Sequence, residues 1–153
     1  MSKVQKKLGE ILMEKGLITQ EQLDLVLEEQ SRTKKFLGEV LIKHQLITEH
    51  DLLSTLSEQF NYPVVSLKNK YINWELVRTF SPSLILDYKC FPVSSDEYSV
   101  TMALNNPLDL WVMQKAEQEA GGLRLKVVLV SLEDLEDAIF RYKQYLQKNI
   151  TNF

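Results

Sequence analysis

Cysteine is nearly absent from this chain. Cys90 is the only one among 153 residues, so no intramolecular disulfide can form, which fits a reducing compartment. Histidine is almost as scarce. His44 and His50 have no cysteine or histidine partners at ligand spacing, so no metal site is expected. A basic excess is missing too: the net charge of −3 and pI near 5.5 offer no general attraction to polyanions, and DNA and RNA are not expected partners. No stretch approaches the roughly 20 apolar residues of a membrane span. No apolar run of signal-peptide length follows the lysines of MSKVQKKLGE. These absences lead us to expect a cytoplasmic protein without direct membrane insertion.

What is present is an ordinary globular composition, 44% hydrophobic and 25% charged. The length suits one domain or two small subdomains. Its strongest feature is an internal duplication. LGEILMEKGLITQEQLDLVLEEQ (Leu8 to Gln30) aligns with LGEVLIKHQLITEHDLLSTLSEQ (Leu37 to Gln59) at an offset of 29 residues, 37 − 8. Identity falls on Leu8/Leu37, Gly9/Gly38, Leu12/Leu41, Leu17/Leu46, Ile18/Ile47 and Thr19/Thr48, and again on Leu23/Leu52, Leu27/Leu56 and Gln30/Gln59. A fixed period of this kind marks one supersecondary unit used twice.

Each unit reads as a short helix, a turn and a second helix. Gly16 suits the left-handed residue that ends the first helix. Thr19 opens the second as N-cap, with Gln22 closing a capping box and Ile18 and Leu23 forming a hydrophobic staple. Thr48, Asp51, Ile47 and Leu52 repeat this in the second unit. Gln45 there replaces the turn glycine, at a cost of roughly 1 kcal/mol if the left-handed turn is kept. Packed hairpins account for the leucines. They account less well for Gly9 and Gly38, which suggest a backbone that something must approach closely. Gln30 and Gln59 likewise end each apolar stripe with an amide able to donate and accept hydrogen bonds.

The pattern K/R-L-G-x-x-L-x-x-x-G-L-I-T-x-x-x-L-x-x-x-L-x-x-Q, twice with a short spacer, resembles the N-terminal domain of type II secretion and type IV pilus assembly ATPases. The MshEN-type domain, which binds cyclic di-GMP, is the form it resembles most. Lys7 to Gln30 and Phe36 to Gln59 have the family's motif length of 24 residues, and Ser31 to Lys35 supply its spacer of 5. YPVVSL, Pro92-Val93, MALNNPLDL and LEDLEDAIFRYK extend the resemblance to about Lys143. It implies that each motif embraces half of a two-fold cyclic dinucleotide. The contacts implied in the first copy are Lys7, Leu8, Gly9, Leu12, Leu17, Ile18, Leu23, Leu27 and Gln30. In the second they are Phe36, Leu37, Gly38, Leu41, Leu46, Ile47, Leu52, Leu56 and Gln59. The chain departs from the family at three places. Lys7 keeps the charge of the family's arginine without its bidentate fork. Phe36 has no charge but can stack on a base. Gln45 stands for glycine. Loss of one charge-assisted contact worth about 1.5–3 kcal/mol weakens binding by roughly one to two decades.

The second half changes period. Val64, Val65 and Leu67 read as a short strand, followed by short helices over 73–80 and 83–88. Strands are expected over 90–93, 98–104 and 125–130. A helix is expected to start at Asn106-Pro107 and end at Gly121-Gly122. A last helix is capped by Ser131, and Asp109, Glu133, Asp134, Glu136 and Asp137 read as caps and solvated faces. Trp74 and Trp111 read as core or interface anchors. The class is therefore α+β: tandem helical hairpins over 1–60, then a small sheet packed with helices over 61–148, then a frayed polar tail over 149–153.

No catalytic residue and no cofactor is identified, and no Walker A sequence occurs. Two readings follow, both non-catalytic. One is a regulatory domain of a secretion or pilus ATPase that binds cyclic di-GMP. The other is a degenerate copy that docks on the ATPase or on an inner-membrane platform protein, which would recruit it to that membrane. Helix-turn-helix DNA binding is disfavoured, because neither repeat's second helix is basic.

Overall fold

Alternating short and long amphipathic segments, followed by β-branched runs, dictate helices first and a sheet second. The computed structural model describes residues 7–151 and bears out the α+β class. It divides into two compact units, one ending at Asn61 and the other beginning at Tyr62. The first unit holds α1 (Leu8–Glu14), α2 (Gln20–Thr33), α3 (Leu37–Lys43) and α4 (Glu49–Phe60). Among the described residues no helix is long and apolar enough to cross a membrane.

Both repeats fold through the same local chemistry. Thr19 Oγ1 accepts from Gln22 N–H while Gln22 Oε1 accepts from Thr19 N–H, and Thr48 and Asp51 do the same. The turn before each box is a Schellman motif. Gly16 N–H donates to Met13 O and Leu17 N–H to Leu12 O; Gln45 and Leu46 donate to Ile42 and Leu41 in the same way. Gly16 has φ 73° and Gln45 φ 58°, so the second turn holds a side chain in the left-handed region. The first-unit core contains Leu12, Val40 and Leu41, all fully buried, with Leu56.

The second unit is a three-stranded sheet in the order β1 (Phe91–Ser95), β2 (Ser99–Leu104), β3 (Arg124–Leu129). β1 and β2 are antiparallel with a bulge between Pro92 and Ser94; β2 and β3 are parallel. α5 (Trp74–Val77) and α6 (Pro82–Leu86) precede the sheet, α7 (Leu110–Ala120) joins β2 to β3, and α8 (Leu132–Thr151) follows. Alternation along β2 gives two cores. Ala103, with Phe91 and Val130, meets Leu135, Ala138, Ile139 and Tyr142 of α8. Met102, on the other face, meets Cys90, whose thiol lies 3.5 Å from its sulfur, and α7 packs against β2 and β3.

Four expectations change in detail. The strand over Val64–Leu67 is a single parallel bridge from Val64 to Leu129, because the chain turns into Asp134 instead: Leu67 N–H and Ser66 Oγ both donate to its carboxylate. α7 starts at Leu110, not Asn106. Asn106 Oδ1 is occupied by Leu108 N–H in a turn, and Asp109 Oδ1 caps the helix. Trp111 is 74% exposed and belongs to no core. Of the expected tail, 149–151 continue α8, and 152–153 lie outside the described residues.

Candidate functional site

Lys7 and Phe36 occupy equivalent positions, the extended residue before α1 and α3, with φ, ψ of −73°, 152° and −68°, 144°. Neither side chain has an acceptor, so neither caps the helix it precedes. Lys7 is exposed and Phe36 half-buried.

The two repeats pack by exchange. α1 contacts α4, and α2 contacts α3. Swapping the repeats converts one contact into the other, which is the signature of a pseudo-two-fold axis through the unit. The polar side-chain contacts obey the same swap. Lys15 Nζ lies 3.0 Å from Glu58 Oε1 and donates to Thr55 Oγ1 at 3.2 Å. Shifted by 29, the first pair becomes His44 and Glu29, whose Nε2 and Oε1 are 3.0 Å apart. Lys43 adds a second contact to Glu29 at 3.6 Å. The hydrogen bond from His44 holds the Glu29 carboxyl below its ordinary value, against a smaller opposing effect of burial. Sequence reasoning missed this device, although Glu29 and Glu58 are identical between the repeats; only the fold brings them to their partners.

The residues implied as ligand contacts fall into two sets. Leu12, Leu41 and Leu56 are at most 1% exposed, and Leu8, Ile18, Leu23 and Ile47 at most 6%. In this structure those side chains are buried in the core of the first unit. Gly9 and Gly38 are buried with them. Lys7, Leu17, Leu27 and Gln30 of the first copy remain wholly or partly open, as do Phe36, Leu37, Leu46, Leu52 and Gln59 of the second. Symmetry is imperfect at the tips, since Leu27 is 41% exposed while its counterpart Leu56 is buried.

The two glycines have an internal reason. A Cβ on Gly9 would stand 2.9 Å from Leu23 Cδ1, and one on Gly38 would stand 2.7 Å from Leu52 Cδ2. The close approach expected at these positions is therefore made by the staple leucine of the same repeat. Each glycine lets the second helix seat on the first.

Comparison with known proteins adds the family. The MshEN domain model matches residues 60–148. A structure of MshE with cdg superposes with a TM-score of 0.82 at 24% identity, covering 90% of this chain and 99% of that one. The N-terminal domain of XpsE matches in one crystal form with a TM-score of 0.69 at 18% identity, over 92% and 98% of the two chains. A second crystal form gives 0.56 at 18% identity. No curated protein sequence matches the chain. These likenesses to solved structures establish a shared fold, and the family model, covering more than half the residues, establishes membership: the chain belongs to the MshEN domain family.

Proposed function

We propose that this domain binds cyclic di-GMP through its paired motifs and acts as a non-catalytic regulatory module of a type II secretion or type IV pilus ATPase. The observation that carries this reading is the pseudo-two-fold exchange of the repeats, α1 on α4 and α2 on α3. Two half-sites related in this way would match the two-fold symmetry of a cyclic dinucleotide. Gln30 and Gln59 supply amides for the purine edges. Leu17 and Leu46 supply partly open apolar surface, Lys7 a cation toward phosphate, and Phe36 a stacking face. Family membership and the likeness to MshE with cdg support the ligand class.

Calorimetric titration with cyclic di-GMP, with GTP and cyclic di-AMP as controls, tests it. A selective one-to-one isotherm is expected, weaker in Gln30→Ala and in Gln59→Ala. Absence of heat at about 1 mM ligand, where even a 4 kcal/mol interaction would register, sinks the reading. The second reading, protein docking, is favoured by Leu25 and Leu27, which are 68% and 41% exposed on α2. In that case Leu25→Asp, not Gln30→Ala, should abolish binding to the ATPase or inner-membrane platform protein.

A further inference from the structure

The second helices of the two repeats are anchored differently at their ends. On α4 the buried side chains run on to Leu56, in its last turns. On α2 they stop at Val26, and none of residues 27–33 is buried. Only Glu29 and Gln30 in that stretch are even half-buried. The end of α2 therefore lacks an apolar anchor of its own, and helix ends without one open locally.

What holds this end is polar. Glu29, with a side chain 17% exposed, places Oε1 3.0 Å from His44 Nε2. Its Oε2 is buried and accepts no hydrogen bond among the described residues, with Lys43 Nζ 3.6 Å away. His44 is the C-cap of α3, so the contact ties the end of one copy's second helix to the end of the other copy's first. Glu29 directly precedes Gln30. In the other half Lys15, the C-cap of α1, meets Glu58, which directly precedes Gln59. The same device thus uses a lysine in one half and a histidine in the other. Histidine is the side chain whose charge ordinarily changes between pH 5 and 8. A charged imidazole donates from both nitrogens, a neutral one from a single nitrogen and without the charge.

We propose that Glu29 is a positioning residue for Gln30: through His44 it latches the open end of α2 onto α3, and the latch tightens as His44 gains its proton. From α3 the groups facing Glu29 are His44 and Lys43, and on α2 itself Arg32 follows one turn on. Lysine and arginine do not change charge between pH 5 and 8. Glu29 stays ionised there, because the hydrogen bond from His44 holds its carboxyl below the ordinary value. His50, the other histidine, lies on α4 and acts on Asp51. The positioning role rests on the reading of Gln30 as a ligand contact, and the latch itself does not.

Hydrogen exchange of the ligand-free chain, corrected for the intrinsic pH dependence of amides, tests the latch at the N–H groups of residues 30–33. Protection is expected to fall about threefold between about pH 6 and 8, the size of an exposed charge contact. His44→Lys, which copies Lys15, should keep protection high at both pH values, and Glu29→Gln should keep it low at both. The end of α4 is the internal control and should not respond. Wild-type protection independent of pH overturns the proposal. So does a fall that persists in His44→Lys, or Glu29→Gln protected like wild type. Calorimetry with cyclic di-GMP then tests the positioning. Binding is expected to be about threefold tighter at about pH 6 than at pH 8 in wild type, and equal at both in His44→Lys. Binding indifferent to pH while protection changes overturns the role toward Gln30. No binding at either pH, with protection changing as expected, sinks the nucleotide reading and the positioning role with it, and supports the latch alone.

Discussion

Gly16 and Gln45 do the same backbone work with different side chains. Both close a Schellman turn with positive φ, yet only glycine does so without a Cβ penalty. Gln45→Gly should therefore stabilise the protein by roughly 1 kcal/mol, less the entropy that glycine adds to the unfolded chain. Gly16→Ala should cost about as much, although nothing lies within 4 Å of its added Cβ, because the strain is in φ and not in contact. Urea denaturation of the two variants measures both, and opposite signs are required. Gly9 and Gly38 present the converse case: ordinary helical backbone with no room. Gly38→Ala gains roughly 1 kcal/mol of helix propensity but must displace Leu52, an overpacking cost of about 1–3 kcal/mol, so a net loss near 1 kcal/mol is expected. Leu52→Ala in the same chain removes the clash. If Gly38→Ala is no less destabilising in that background, the packing explanation fails.

Elements here are held by local signals that a sequence displays and by tertiary tethers that it does not. The capping boxes, the left-handed turns and the 29-residue period were all legible, because each depends on residues within one turn of helix or on identity at a fixed offset. The start of α7 was not legible. Asn106 and Asp109 are both competent caps, and in the fold the first accepts from Leu108 N–H in a turn while the second caps the helix. Burial within the candidate site was not legible: the repeat named the residues, but only packing separates buried Leu12 and Leu41 from half-buried Leu17 and Leu46. Asp134 shows the same limit. It reads as a cap acid, yet it ties the 66–67 segment to α8.

Burial is the largest single influence on the Asp134 carboxyl and raises it. Bonds from Leu67 N–H and the Ser66 and Ser131 hydroxyls, with that of Lys68 N–H, outweigh it together and leave the folded value low. Glu119, held by Ser81 and Lys115 against burial, is lowered likewise. A depressed carboxylate contributes stability that is present above its unfolded value and lost as pH falls through the folded one. Asp134→Asn should thus cost about 1–2 kcal/mol at pH 7 and progressively less below about pH 4. Urea midpoints of the two chains should converge in acid; a gap independent of pH would mean that shape, not charge, carries the tether.

At the scale of the whole molecule, the family signal and the candidate ligand site sit on different units. The MshEN model matches 60–148, whereas the paired motifs occupy 7–30 and 36–59. A binding defect must therefore be separated from damage to the second unit, and Cys90 provides the probe. It is fully buried beside Met102, and burial, with a smaller effect of the Glu119 charge, pushes its thiol up to about 12. A thiol so placed reacts only when its unit opens. Gln30→Ala and Gln59→Ala should each weaken cyclic di-GMP binding by roughly tenfold, one hydrogen-bonded contact apiece, while the rate of Cys90 labelling stays at the wild-type value. Phe36→Arg exchanges the stacking face for a cation whose planar guanidinium can itself stack on a base, and so should strengthen binding by about one decade at unchanged labelling. Weaker binding with faster labelling would trace the effect to the fold of the second unit. Stronger binding by Phe36→Arg cannot arise from loss of structure, so that variant carries the sharpest weight for a ligand held between two repeats.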